Sequence, residues 1–178
     1  VKVTGTYANN NGNYSKEADC SVNVEEIEYD LRVEKSITKI LRNGVWKDWP
    51  SEGMNLLPGD RVRYKIRVYN NSKIKGTTNK WVKVNNLILR DVLTINNLEP
   101  VNNWDEFKYK PKGSNDEVIY NGGEFSIDAR TTANTSYLEF FVYWTVSEDD
   151  ANKFNVDPEM NEVKNTAYLY YPGSNQPK

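Results

Sequence analysis

Hydrophobic and polar residues alternate along several short runs of the chain, and clusters of glycine, asparagine and proline separate these runs. The clearest run covers residues 61–72, where Val62, Tyr64, Ile66 and Val68 alternate with arginine and lysine. A period of two places successive side chains on opposite faces of a β-strand. The run therefore predicts a strand with one buried face and one basic, solvent-facing side.

The remaining alternating runs predict an all-β fold. Run 136–146 is the most strand-like, and we expect it at the centre of a sheet. No run of about ten residues has a helical period, so helices should be single turns at most. Short strands between turn clusters are typical of a β-sandwich rather than a βαβ fold. The other predicted strands cover residues 29–41, 80–93, 106–110, 117–120, 124–129 and 161–171, and turn markers place residues 42–60 in a loop.

The two ends of the chain resemble each other. "VKVTGTYANNNGNYSK" at residues 1–16 can be laid over "VKNTAYLYYPGSNQPK" at residues 163–178 without gaps. Both ends have the pattern of a last strand followed by a linker, which is typical of tandem repeats. The chain also begins without an initiator methionine, so we expect a fragment of a longer protein. The expected division is 1–27 as the tail or linker strand of a preceding repeat, 28–172 as the sandwich and 173–178 as a linker.

Three predicted strands each carry one polar residue on the face that should be buried. Each has a simple explanation, because a lysine can extend to solvent and Asp or Asn can bond the backbone at a strand end. An unpaired buried amide costs about 1–3 kcal/mol, so a partner for it is expected. The three are Lys35 between Val33 and Ile37, Asp91 between Leu89 and Leu93, and Asn165 between Val163 and Ala167.

Together, an amine, a carboxyl and an amide in an apolar interior indicate a specific reaction. Burial disfavours the charged forms, so Lys35 becomes a neutral nucleophile and Asp91 tends to hold a proton. Lys35 can then attack the side-chain carbonyl of Asn165 while Asp91 shuttles protons and ammonia leaves. The product is an isopeptide bond formed in a single turnover. Lys39 is the second-choice amine on the same face, and Glu139 is the second-choice acid, although its parity places it on the opposite face.

The overall composition excludes several function classes. The 178 residues carry a net charge of −2 with interspersed signs, which argues against binding of nucleic acid or a polybasic membrane role. The chain has no histidine, so the commonest general base and metal ligand is absent. Cys20 is the only cysteine and has no internal disulfide partner. We expect neither a cofactor nor catalysis on an external substrate.

Three tryptophans suggest an alternative role in binding. Trp46 and Trp49 lie in the predicted loop 42–60, and Trp104 lies further along the chain. Together they could form an exposed aromatic platform for a carbohydrate or a host protein. The favoured alternative is that they cover the ends of the sandwich.

An acidic stretch at residues 148–159 raises the question of a metal site. Its candidate ligands are Asp149, Asp150 and Asp157. The stretch lacks the glycine and the ligand spacing of an EF-hand, so a solvated acidic loop is favoured.

A series of short motifs runs in order along residues 29–171: Lys35, Pro58-Gly59-Asp60, Tyr64, Asn70, Asp91-Val92-Leu93 and Asn165-Thr166-Ala167. In this order they resemble the isopeptide-forming repeat domains of bacterial fimbrial and collagen-adhesin-type surface proteins. The resemblance implies an immunoglobulin-like β-sandwich, a Lys35–Asn165 bond assisted by Asp91, and display on a bacterial surface within a parent protein attached to the cell wall. It also implies neighbouring repeats as partners, with a host protein or glycan as a further ligand. We expect no membrane contact by this fragment.

Overall fold

In the described residues of the computed structural model, β-strands predominate and there is one short helix. The structure describes residues 3–9, 12–18, 24–51, 53–96, 104–154, 163–174 and 177. In chain order the elements are β1 (Val3–Asn9), β2 (Gly12–Ala18), β3 (Ile27–Glu28), β4 (Leu31–Arg42), β5 (Val45–Asp48), β6 (Arg61–Asn70), β7 (Lys73–Ile74), β8 (Val84–Ile95), β9 (Glu106–Lys110), β10 (Val118–Ile119), β11 (Phe125–Ile127), β12 (Ser136–Thr145), α1 (Glu148–Phe154) and β13 (Val163–Tyr170).

Two antiparallel sheets pack face to face around one apolar core. The larger sheet has the strand order β10-β9-β12-β6-β4-β5, and the smaller has the order β11-β8-β13. The alternating residues of each strand supply the core, as period-two patterning requires. The expected all-β, antiparallel β-sandwich is confirmed, with β12 near the middle of the larger sheet. The buried residues of this core include Val62, Ile66, Val68, Leu87, Leu89, Leu93, Phe140, Val142, Trp144 and Leu169.

Two predicted loops contain regular structure. Within residues 42–60, Asn43 and Gly44 have φ angles of 53° and 76° and close a hairpin between β4 and β5. Asn-Gly tolerates these left-handed angles, which suit a two-residue hairpin turn. Residues 148–154 form helix α1, which is longer than the predicted single turn. Ser147 and Asp150 explain its start: the Asp150 N–H donates to Ser147 Oγ at 3.0 Å, which caps the helix.

The N-terminal residues form a hairpin where a single tail strand was expected. β1 and β2 pair antiparallel from Val3↔Ala18 to Asn9↔Gly12. A separate two-residue pairing joins β3 to β7, just before the sandwich begins at β4. Cys20 lies outside the described residues. Across the described parts of the chain, no helix is long and apolar enough to cross a membrane.

Two buried polar side chains hold the ends of β6. At its start, the Asp60 carboxylate accepts hydrogen bonds from Arg42 Nε at 2.8 Å and from the Leu57 N–H at 2.7 Å. At its end, Asn70 is fully buried, and its Nδ2 donates to the carbonyls of Val82 and Asp128 at 2.9 and 3.0 Å. Because Asp128 directly follows β11, Asn70 links the two sheets.

Replacing Asn70 should destabilise the domain substantially. Asn70→Ala leaves buried carbonyls without their donor, so we expect the free energy of unfolding to fall by about 2–4 kcal/mol. Chemical denaturation measures this change. Asn85→Ala is the matched control, since Asn85 is exposed on β8, and it should change stability by less than about 0.5 kcal/mol. Equal effects of the two substitutions would contradict the role assigned to Asn70.

Candidate functional site

Lys35 and Asp91 meet in the layer between the two sheets. Lys35 lies on β4 opposite Ile66, and Asp91 lies on β8 in the smaller sheet. The Lys35 ammonium donates a hydrogen bond to Asp91 Oδ1. The Lys35 side chain is only 14% exposed and that of Asp91 is 0% exposed. An ion pair of this kind is removed from water and interacts through a low local dielectric.

Asn165 lies beside this pair on the neighbouring strand. In the register of β13 and β8, Asn165 is opposite Leu93 and Ala167 is opposite Asp91. Asn165 and Asp91 are therefore diagonal neighbours on one face, within side-chain reach. Cα atoms of β13 also come within 8 Å of β4 in places, so Asn165 is on the strand that approaches the strand of Lys35.

The Asn165 amide is buried without a satisfied hydrogen bond. Neither its Nδ2 nor its Oδ1 has a partner of normal geometry within the described protein, and Asp91 Oδ2 also lacks one. The amide is nevertheless close enough to Asp91 to form a hydrogen bond of poorer geometry with its carboxyl. This bond is one of the interactions that lower the pKa of Asp91. Buried polar groups are nearly always satisfied, and an exception indicates strain or chemistry.

Burial shifts both ionisable groups toward their neutral forms. Burial lowers the pKa of Lys35 to about 8, against the opposing effect of the Asp91 charge. Burial likewise raises the pKa of Asp91, against the opposing effects of Lys35 and Asn165. The neutral amine and neutral acid together carry the same single proton as the ion pair. The cluster can therefore reach a state with a nucleophilic amine and a proton-donating carboxyl.

Two aromatic residues enclose the pair. The Lys35 Nζ lies 5.2 Å from the centroid of the Tyr64 ring. Trp104 packs edge-on against Tyr64 at 6.3 Å, and its Nε1 donates to the Asp91 carbonyl at 3.1 Å. Burial raises the pKa of Tyr64, and the Asp91 charge adds to this, so its phenol stays protonated. These rings keep water away from the amine and the acid.

The second-choice residues lie on the outer face of the larger sheet. Lys39 was expected to share the inner face with Lys35, and this is wrong because a β-bulge between Ile37 and Lys39 reverses the alternation. Lys39 pairs with Arg63, and its side chain is 44% exposed beside Asp48. Glu139 accepts a hydrogen bond from Arg67 at 2.8 Å on that outer face, where its parity placed it.

The three tryptophans do not form one platform. Trp104 contacts Tyr64 between the sheets, whereas Trp46 is 40% exposed and meets Tyr143 edge-on at 6.2 Å on the outer side. Trp49 is half-buried, and its backbone N–H donates to the Thr38 carbonyl at 3.0 Å. The three residues therefore do not form the single platform raised as an alternative, because they are divided between the core and the surface.

The acidic stretch contains the helix α1 instead of a solvated loop. Asp150 is buried, and its carboxylate forms an ion pair with Lys153. The carboxylate also accepts a hydrogen bond from the Ser147 backbone N–H, so Asp150 acts as a helix-capping residue. Asp149 is exposed in the first helical turn, and Asp157 lies outside the described residues. In the part of the chain that is described, no group of three Cys, Asp or Glu side chains could hold a metal ion.

The role of Trp104 was not found from the sequence. Strand parity identifies which residues of a strand point inward, but Trp104 precedes β9 and has no parity of its own. Its only signal was its residue type, which favoured a position covering an end of the sandwich over a surface platform but did not indicate contact with Asp91.

Comparison with known proteins identified no relative. No protein-family model, curated protein or solved structure matches the chain.

The position of Lys35 predicts a measurable titration. In an Asn165→Ala variant the amine stays free, and its pKa should be about 8 in heteronuclear NMR. Between about pH 8 and pH 9.5 the unfolded chain binds the proton that the folded domain has released, so this lysine makes stability rise with pH by about 1–2 kcal/mol. Adding Lys35→Met should remove that rise, whereas adding Lys39→Met should preserve it. An ordinary pKa near 10.4 for Lys35 would contradict this electrostatic description.

Proposed function

We propose that the domain is a structural stalk or spacer repeat of a bacterial cell-surface adhesin or pilus-like protein, stabilised by an intramolecular Lys35–Asn165 isopeptide bond. The observation that carries the proposal is the buried cluster of Lys35, Asp91 and Asn165, in which the amide has no hydrogen bond of normal geometry. A structural role alone would favour satisfied groups, whereas a reaction requires an amine and an amide held ready to combine.

The proposed reaction is a transamidation that needs no cofactor. The neutral Lys35 Nζ attacks the Asn165 side-chain carbonyl carbon, while the protonated Asp91 carboxyl hydrogen-bonds the carbonyl oxygen. A new C–N bond forms, and the bond from that carbon to Nδ2 breaks. Asp91 gives its proton to the carbonyl oxygen as the amine attacks, and the resulting carboxylate carries a proton from the Lys35 nitrogen to the departing nitrogen. When the bond to Nδ2 breaks, the carboxylate takes back the proton from the carbonyl oxygen, so the carboxyl is restored. One ammonia leaves, and the total charge of the site is unchanged from the neutral pair.

The bond would join the first and last strands of the sandwich. Lys35 on β4 and Asn165 on β13 are 130 positions apart, as 165 minus 35. By analogy with disulfides, closing a loop of this size stabilises the folded domain by about 5 kcal/mol, less any strain. The linkage would also divert tension away from the strands between the two residues. It would do so without a second cysteine, which the chain lacks.

These mechanical properties suit an extended surface stalk. A thin array of repeats outside the cell must resist shear and proteases, and a covalent link between terminal strands serves that purpose. The similarity between residues 1–16 and 163–178 supports neighbouring repeats of the same chain as the partners. The resemblance of the motifs to adhesin and fimbrial repeats supports a place on the bacterial cell surface.

Intact-mass spectrometry tests the reaction directly. The purified chain should weigh less than its sequence by one ammonia. Lys35→Ala and Asn165→Ala should each restore the full mass, because each removes one of the two atoms that bond. Lys39→Ala is the matched control and should still lose ammonia, since Lys39 is on the outer face. A full-mass, folded wild-type chain would remove the cross-link from the account.

The rate of ammonia loss should have a bell-shaped dependence on pH. The reactive state holds one proton on the Lys35–Asp91 pair. Above about pH 8 the lysine has released its proton and the carboxyl has none to donate, so the rate should fall. At low pH, below the raised pKa of Asp91, both groups are protonated and the amine is no nucleophile. A rate that continues to rise above pH 9 would exclude Asp91 as the proton donor.

Force spectroscopy tests the mechanical consequence. Pulled by its termini, wild-type protein should extend only by residues outside the Lys35–Asn165 loop. The Asn165→Ala variant should release about 450 Å more contour length, from 130 residues at ~3.5 Å each. Equal extensions of the two proteins would mean that the load does not pass through the bond.

A further inference from the structure

The backbone carbonyl of Asp91 lies where one edge of β8 has no neighbouring strand. β13 pairs with β8 along Ile88–Ile95, but β11 on the other side pairs only with Leu87 and Val84. Beyond Leu87, no strand of the described chain covers that second edge. The indole N–H of Trp104 fills the gap, because it donates to the Asp91 carbonyl at 3.1 Å. A side chain thus replaces a strand at the position of the acid.

Trp104 also contacts the half of the site that belongs to the larger sheet. Its ring packs against Tyr64 with centroids 6.3 Å apart and an angle of 69° between the planes, an edge-to-face geometry. Tyr64 in turn lies under the Lys35 ammonium at 5.2 Å. One residue therefore contacts the backbone of the acid on β8 and the aromatic support of the amine on β6.

Because the cluster is buried and closely spaced, the contacts of Trp104 can control its geometry. The Asp91 side chain is completely enclosed. Asn165 lies beside it, and its amide makes no hydrogen bond of normal geometry. A small shift of the β8 backbone would move the carboxyl relative to both the amine and the amide. Reactions between held groups are sensitive to displacements of this kind, because the rate depends on near-attack geometry.

We propose that Trp104 is a positioning residue for the cross-linking reaction, fixing the Asp91 backbone and the Tyr64 ring so that acid, amine and amide are aligned. The inference rests on the proposed isopeptide chemistry and deepens it. Trp104 acts through its two neighbours and takes no part in bond making. Its partly buried position against the core argues against the alternative of a ligand platform for this residue.

The test compares reaction rates in freshly synthesised protein. Cell-free translation is stopped at intervals in denaturant, and intact mass reports the fraction that has lost ammonia. Trp104→Phe keeps an aromatic ring but lacks the N–H, and it should react about tenfold more slowly, the factor expected for one lost hydrogen bond. Trp46→Phe is the matched control at an exposed tryptophan and should react at the wild-type rate.

A second replacement separates the hydrogen bond from the shape of the ring. Benzothienylalanine at position 104 retains the indole outline and removes only the N–H donor. It should also slow the reaction about tenfold while the melting temperature stays near that of the wild type. A wild-type rate with this analogue would overturn the positioning role, even if Trp104→Phe folds poorly.

An NMR measurement distinguishes failure of this inference from failure of the proposed function. In the Asn165→Ala background no cross-link can form, and Trp104→Phe should raise the pKa of Lys35 from about 8 toward its ordinary value as water enters. If the wild-type chain never loses ammonia, the proposed function is wrong. The pKa of Lys35 in the double variant then decides by itself whether Trp104 organises the site. An unchanged pKa would overturn the inference.

Discussion

The Lys35–Asp91 contact is the interaction on which this account depends. It joins the two sheets of the sandwich at a point that is removed from water, beside an amide that has no hydrogen bond of normal geometry. A buried ion pair is poor support for stability on its own, because desolvation offsets most of the attraction. The same burial brings the amine and the carboxyl toward neutrality, which is the condition for a reaction with Asn165.

The surrounding fold holds these three groups by backbone register rather than by flexible loops. Asp91 and Asn165 are diagonal neighbours on adjacent strands, and Lys35 reaches Asp91 from the opposite sheet. Asn70 ties the end of β6 to the smaller sheet through the Asp128 carbonyl, so the two sheets are also linked at a second point. Rigid strands position reacting groups more accurately than loops do. The proposed bond would convert this alignment into a covalent connection between β4 and β13.

Period-two alternation was sufficient to predict the sandwich and the inward direction of Lys35, Asp91 and Asn165. It failed at Lys39, because the bulge after Ile37 inserts one residue that alternation cannot reveal. The hairpin strand β5 was missed for a related reason, since its four residues are all exposed and show no buried face. The contact of Trp104 with Asp91 was not predicted, because a residue outside a strand has no inward or outward parity. Only the tertiary structure shows this contact.

Peptide mapping tests the central claim most directly. If Lys35 carries an isopeptide bond, trypsin cannot cleave after it, and the segment VEKSITK (33–39) stays whole. Tandem mass spectrometry should then find this segment joined to NTAYLYYPGSNQPK (165–178), with fragment ions that place the link on Lys35 and Asn165. Free peptides VEK and NTAYLYYPGSNQPK in a digest of folded protein would contradict the account.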